Sequence, residues 1–146
     1  MTRIINEMKL RLPALSRNEA VARSIISSFA AELDPTVDEL CDVRCAVSEA
    51  VTNCIVHAYR DYERPDRAYV YISARLYDNR ELSVEISDNG CGIENVGLAM
   101  SPSYTTGDAA ERCGMGFLVM ASFTDSLTVK SKVGRGTTVL MRKILK

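Results

Sequence analysis

Residues 4–12 alternate along the chain, with Met8, Leu10 and Leu12 on one side and Glu7, Lys9 and Arg11 on the other. That period of two predicts a half-buried strand, ended by Pro13. Ser16 and Glu19 then have capping-box spacing, and Val21, Ile25, Phe29 and Leu33 recur at helical intervals as far as Asp34-Pro35. A second box, Thr36 with Glu39, opens a longer helix to about Tyr59, with Leu40, Val47, Val51, Cys54 and Ala58 on one face. Residues 60–67 are polar and contain Pro65, so they form a loop. Two strands follow around the turn Asp78-Asn79-Arg80. In the first, Val70, Ile72, Ala74 and Leu76 alternate with Tyr71, Ser73, Arg75 and Tyr77. In the second, Leu82, Val84 and Ile86 alternate with Ser83, Glu85 and Ser87. A long loop at 88–113, a helix at about 116–123 and strands near 126–132 and 137–144 complete the pattern, the last two joined by Gly134-Arg135-Gly136. The order β-α-α-β-β-loop-α-β-β predicts an α+β two-layer sandwich, a mostly antiparallel sheet covered on one face by helices.

Composition narrows the class without naming it. A chain of 146 residues, 47% hydrophobic and with 18 basic against 19 acidic side chains, suits one globular domain over 1–146, and no internal linker stands out. The net charge of -1 argues against sequence-independent nucleic-acid binding. No apolar run reaches the roughly 18 residues of a membrane span, and the first residues lack a signal-peptide core, so a cytoplasmic location away from membranes is expected. The five cysteines form no CxxC pair. Cys41 and Cys45 lie one helical turn apart, but His57, the only histidine, is three turns further on. The cysteines therefore read as small buried thiols rather than metal ligands.

Four segments carry possible chemistry, and each also has a plainer reading. Glu49 and Asn53 stand one turn apart on the long helix, on the side opposite its apolar stripe. They are a solvated face, or a carboxylate and a carboxamide able to hold a hydroxyl or water beside a hydrated Mg²⁺. His57 reads as an imidazole hydrogen-bonded near the helix end. Asp88-Asn89-Gly90-Cys91-Gly92 is a turn, or a place where backbone closely approaches a flat ligand while Asp88 accepts from an exocyclic amine. Gly114-Met115-Gly116-Phe117 is a helix entry, or an anion site made of freed N–H groups. The 21 residues between these glycine clusters hold Ser101, Ser103, Thr105, Thr106, Asp108 and Arg112, the composition of a lid over phosphates. Gly134-Arg135-Gly136-Thr137-Thr138 is in itself a hairpin turn.

Taken in order, Ser48-Glu49-Ala50-Val51-Thr52-Asn53, Asp88-Asn89-Gly90-Cys91-Gly92, Gly114-Met115-Gly116-Phe117 and Gly134-Arg135-Gly136-Thr137-Thr138 resemble the N, G1, G2 and final boxes of the GHKL superfamily, the ATP-binding fold shared by gyrase and histidine kinases. Residues 13–19, 33–40, 48–53 and 111–117 further resemble the small stand-alone anti-sigma serine kinases of spore-forming bacteria. The resemblance implies ATP and Mg²⁺ as cofactors, Glu49 as general base and Asn53 as the Mg²⁺ ligand. It implies that Asp88 hydrogen-bonds the adenine amino group, that Gly90 and Gly92 shape the base pocket, and that Thr137 contacts adenine through water. Thr105, Thr106, Arg112, Gly114 and Gly116 would surround the phosphates. After Thr105-Thr106 those kinases carry Lys, whereas this chain has Gly107-Asp108, which leaves Arg112 as the cation for the terminal phosphate.

The function implied is phosphorylation of a serine on a STAS-type anti-anti-sigma protein, combined with inhibition of a sporulation sigma factor of the sigma F type by a homodimer. The alternative is a nucleotide-gated anti-sigma module without kinase activity. A sensor histidine kinase fits poorly, because the only histidine lies inside the N box. Arg17, Arg23 and Glu32, with the wet face of strand 4–12, are either a partner surface or a solvated one.

Overall fold

The computed structural model describes residues 1–100 and 116–146. Five strands, β1 (Ile4–Pro13), β2 (Tyr69–Tyr77), β3 (Glu81–Ser87), β4 (Ser126–Lys132) and β5 (Gly136–Ile144), form one antiparallel sheet in the order β1-β2-β3-β5-β4. Among the described residues the α-helices are α1 (Asn18–Ala30), α2 (Val37–Thr52), the one-turn α3 (Val96–Ala99) and α4 (Gly116–Ser122). Alternation within β2 turns Val70, Ile72, Ala74 and Leu76 into the core, together with Leu82, Val84 and Ile86 of β3 and Val139 and Met141 of β5. Ile26 of α1, Val47 and Val51 of α2 and Met120 of α4 belong to the same cluster. Complete burial of an Ile, Leu or Met side chain contributes roughly 1.5–3 kcal/mol, so this shared layer holds helices to sheet. Among the described residues no helix is long and apolar enough to cross a membrane.

The two helix starts behave differently. Thr36 caps α2 as expected: its Oγ1 accepts from Glu39 N at 3.1 Å, and Glu39 Oε1 accepts from Thr36 N at 2.9 Å. The N–H of Thr36, then that of Lys146, holds the Glu39 carboxyl below its ordinary value. At α1 no side-chain cap forms, and Arg17 occupies the N-cap. Glu19 is drawn away instead, because its Oε1 accepts from the Ser48 hydroxyl of α2 and faces Arg23 Nη1 at 3.7 Å. The buried face of α1 is also rotated by one residue from the expected stripe, to Ala22, Ile26 and Ala30, leaving Val21 exposed. Small alanines let α1 sit close to its neighbours, and the bulkier Val21 turns out to solvent.

The long helix does not run regularly to Tyr59. From Asn53 to Ala58 it widens into a π-turn, the kind of insertion often found at functional sites. The cysteine expectation also needs correction: Cys41, Cys45 and Cys91 are exposed, and of the four in the described residues only Cys54 is buried. Cys41 and Cys45 ride the outer side of α2, away from Val43, Ala46 and Val47.

Candidate functional site

A cavity of about 530 Å³ opens between the end of α2, its π-turn, the turn after β3, the start of β5 and the first residues of α4. Asn53, His57, Asp88, Gly92, Gly116 and Thr137 line it, with Ala50, Ile86 and Val139 as its apolar back wall. The structure therefore gathers residues from all four boxes that fall within its described part. Thr105, Thr106, Arg112 and Gly114 lie outside the described residues.

Asp88 ends β3 and is only 7% exposed. Its Oδ1 accepts from Gly90 N at 2.9 Å and from Thr137 N at 3.3 Å, while its own N–H donates to Thr137 O at 3.0 Å. The Cys54 thiol, buried on the π-turn, donates to the same carboxylate. Burial raises the Asp88 carboxyl above its ordinary value, and the N–H of Gly90, the thiol and the N–H of Thr137 pull against that rise. Burial, and then the nearby Asp88 charge, pushes the Cys54 thiol well up, so it remains a neutral donor.

Sterics dictate the glycines around this carboxylate. A Cβ on Gly90 would stand 2.2 Å from the Ala58 carbonyl oxygen, the acceptor that Cys91 N reaches at 2.8 Å. Gly136 has φ +117°, and a Cβ there would stand 2.1 Å from the Asp88 carbonyl oxygen. The Gly92 backbone lies against Lys132 at the end of β4, and Gly134 N donates to Cys91 O at 2.8 Å. The π-turn, the glycine turn and the β4–β5 hairpin are thus pinned to one another through backbone atoms.

Two supports were not singled out in the sequence. Tyr59 donates its hydroxyl to Tyr69 O at 2.6 Å and accepts from Asn89 N at 2.8 Å, tying the helix end to β2 and the glycine turn. Its phenol is pushed up to about 12, mainly by burial. Ser131 of β4 accepts from Ile93 N at 2.7 Å and lies 2.7 Å from Thr137 Oγ1. In sequence Tyr59 reads as a helix end and Ser131 as one more polar strand position, so neither carries a local signal.

Asn53 lines the cavity beside Gly116, and Glu49 stands one turn before it on α2, next to that lining. They are half-buried at the margin of the core-facing side of α2, beside the buried Ala50 and Cys54, rather than opposite it. A Cβ on Gly116 would stand 3.4 Å from Glu49 Oε2 and from both amide atoms of Asn53, so the start of α4 closes over this pair. His57 sits on the π-turn in the cavity wall, and its carbonyl oxygen lies 3.7 Å from Cys91 Sγ. Among the described residues no three His, Cys, Asp or Glu side chains cluster as a metal cage.

The profile of the histidine kinase-like ATPase domain family matches residues 12–143. The anti-sigma F factor of Clostridium acetobutylicum is 47% identical over 138 residues, covering 94% of this chain and 93% of that protein. That of Clostridium kluyveri is 48% identical over 139 residues, 95% of this chain and 94% of its own length. That of Caldanaerobacter subterraneus subsp. tengcongensis is 46% identical over 140 residues, 96% and 94% of the two chains. Solved structures share the fold at low identity. The RsbU and RsbW domains of a Mycobacterium tuberculosis protein superpose with a TM-score of 0.69 at 17% identity, over 96% of this chain and 32% of that one. The SiaB–SiaC complex of Pseudomonas aeruginosa gives 0.68 at 13% identity, over 96% and 89%. With this sheet, this cavity and these relatives, the chain belongs to the anti-sigma F factor family, built on the histidine kinase-like ATPase domain.

Proposed function

We propose that the chain is an ATP-dependent protein serine kinase that also binds and inhibits a sigma factor of the sigma F type. Its substrate is a serine on a STAS-domain anti-anti-sigma protein. The observation that carries the reading is one cavity lined by both the buried Asp88 carboxylate and Asn53, with Glu49 next to Asn53 under the start of α4. Asp88, fixed by Gly90, Thr137 and Cys54, is placed to accept from the amino group of adenine, with Thr137 beside it. Gly90 and Gly92 shape the base pocket by letting the turn after β3 pack directly against the Ala58 and Lys132 backbone. The family relationship supports ATP as the nucleotide.

The donor set also suits Mg²⁺ arriving with the nucleotide, because that ion keeps several waters and uses few protein oxygens. Asn53 would hold it, and the ion would offset charge on the phosphate oxygens. Glu49 acts as general base, accepting the proton of the attacking serine hydroxyl as the new O–P bond forms and the bond to the ADP oxygen breaks. Arg112 supplies a positive charge at the terminal phosphate, with Thr105, Thr106, Gly114 and Gly116 around the phosphates. Catalysis of this kind rests on positioning and electrostatics.

The partner surface is placed on α1 in a homodimer. Arg23 is held by Glu19 at 3.7 Å, and its side chain is 35% exposed, so part of the guanidinium remains open to a partner. Arg23→Ala is expected to weaken sigma-factor binding about tenfold; wild-type affinity in a pull-down titration removes Arg23 from the interface. The kinase itself is tested by incubating the protein with labelled Mg²⁺-ATP and a STAS-domain anti-anti-sigma protein from the same organism. Label on a partner serine that is lost in Glu49→Gln supports the kinase. Tight nucleotide binding without label leaves a nucleotide-gated binding module.

A further inference from the structure

We propose that Ser131, one residue behind the cavity wall, fixes the hydroxyl of Thr137 as a pure acceptor toward the ligand. It thereby makes the site select a base bearing an exocyclic amine over one bearing a carbonyl at that position. The proposal rests on the reading of Asp88 and Thr137 as the base-recognising pair.

The argument is a count of protons. Ser131 Oγ stands 2.7 Å from Ile93 N, 3.1 Å from Gly136 O and 2.7 Å from Thr137 Oγ1. The Ile93 N–H only donates and the Gly136 carbonyl only accepts, so all three contacts are made at once only when Ser131 directs its single proton to Gly136. The contact between the two hydroxyls then needs the proton of Thr137. With that proton turned toward Ser131, Thr137 Oγ1 offers only lone pairs to the cavity it lines. Its backbone N–H is likewise taken, by Asp88 Oδ1 at 3.3 Å.

The wall consequently presents two acceptors, the Asp88 carboxylate and the Thr137 oxygen, and no donor from Thr137. An amine brings two N–H donors to such a pair, one to Asp88 and one to Thr137 through a water that gives its own proton to the Thr137 oxygen. A carbonyl brings a third acceptor, leaving buried oxygens facing one another without a proton between them, the situation that gives polar sites their steepest discrimination. Ser131 acts only through Thr137, so it is a positioning residue. It also grips Ile93, the residue following the glycine turn.

The test compares binding of ATP and ITP, which carries a carbonyl in place of the amine, by calorimetry on the full chain. Wild type is expected to prefer ATP by roughly 100-fold or more. Ser131→Ala frees the Thr137 proton to turn toward the ligand, and the ATP/ITP preference is expected to fall about three- to tenfold. Ser131→Thr keeps the hydroxyl and the wild-type preference. Loss of the Ile93 anchor by itself would weaken both nucleotides by one common factor, so an unchanged ratio in Ser131→Ala overturns the proposal. If that variant melts below the assay temperature, Ser131→Cys, closer in volume and a poorer hydrogen-bonding group, is read in its place with the same expected direction. A wild type that does not discriminate at all overturns the base-recognising reading and the proposal together. Discrimination that disappears in Asp88→Asn but persists unchanged in Ser131→Ala overturns Ser131 alone.

Discussion

The Asp88 and Glu49 parts of the site are built from different materials. Around Asp88 the structure is made of backbone: Cys91 N on Ala58 O, Gly134 N on Cys91 O, Asp88 N on Thr137 O, and glycines where a side chain has no room. Around Glu49 it is made of side chains on one helix, approached by the start of another with ordinary contact distances at Gly116. A rigid backbone cradle suits recognition of a flat, invariant group. Side chains on a helix suit chemistry in which a proton moves and a second protein must enter. The difference teaches where a mutation damages the fold and where it damages only the reaction.

The sharpest way to break the comparison is a pair of equivalent substitutions. Gly90→Ala forces a methyl against the Ala58 carbonyl and is expected to destabilise the chain by about 3 kcal/mol or more, seen as a collapsed denaturant midpoint. Gly116→Ala meets nothing closer than 3.4 Å and is expected to change stability by less than about 1 kcal/mol. Similar midpoints for both would erase the distinction.

Asp88→Asn separates recognition from stability. Burial raises the folded-state pKa of Asp88 above its unfolded value. Its contribution to stability is therefore fully present below the unfolded pKa and is lost as pH rises through the raised one. At neutral pH the amide is expected to raise the melting temperature, on the order of 2 °C, with a smaller gain in acid, while ATP affinity falls about 100-fold. Thermal melts at two pH values and a nucleotide titration check both halves. A lower melting temperature at neutral pH would mean that the hydrogen bonds to the carboxylate outweigh its burial.

The smallest effect lies away from the cavity and calibrates the rest. Thr36→Ala removes the cap of the helix that carries Glu49 and Asn53, and is expected to cost about 1 kcal/mol. The lowered pKa of Glu39 means that its share is present at neutral pH and is lost as pH falls through that lowered value. The penalty measured by denaturant unfolding should accordingly shrink in acid.

Much of this was legible in the chain because the governing forces are local. The alternation in β2 and β3 dictated which side faces the core, and Thr36 with Glu39 marked a helix start that forms as expected. Where long-range contacts compete, local signals failed. Glu19 has capping spacing, but Ser48 and Arg23 claim its carboxylate. Val21 has the right period, but Ala22 fits the helix interface better. The π-turn has no signature in hydrophobic spacing, because it is stabilised by what the Ala58 carbonyl meets 33 positions later, at Cys91. Box order was readable for Glu49, Asn53, Asp88, Gly90, Gly92, Gly116 and Thr137. Tyr59, which ties the helix end to the glycine turn, and Ser131, which ties Ile93 to Thr137, emerge only in three dimensions.

The central claim, that the Asp88 part of the site binds and the Glu49 part reacts, is tested most directly by measuring nucleotide affinity and phosphotransfer to the STAS protein together in wild type and Glu49→Gln. The account predicts Mg²⁺-ATP affinity within about twofold of wild type and a transfer rate lower by about 10²–10⁴. Equal transfer by the two proteins, or a loss of transfer explained entirely by a loss of binding, would contradict it.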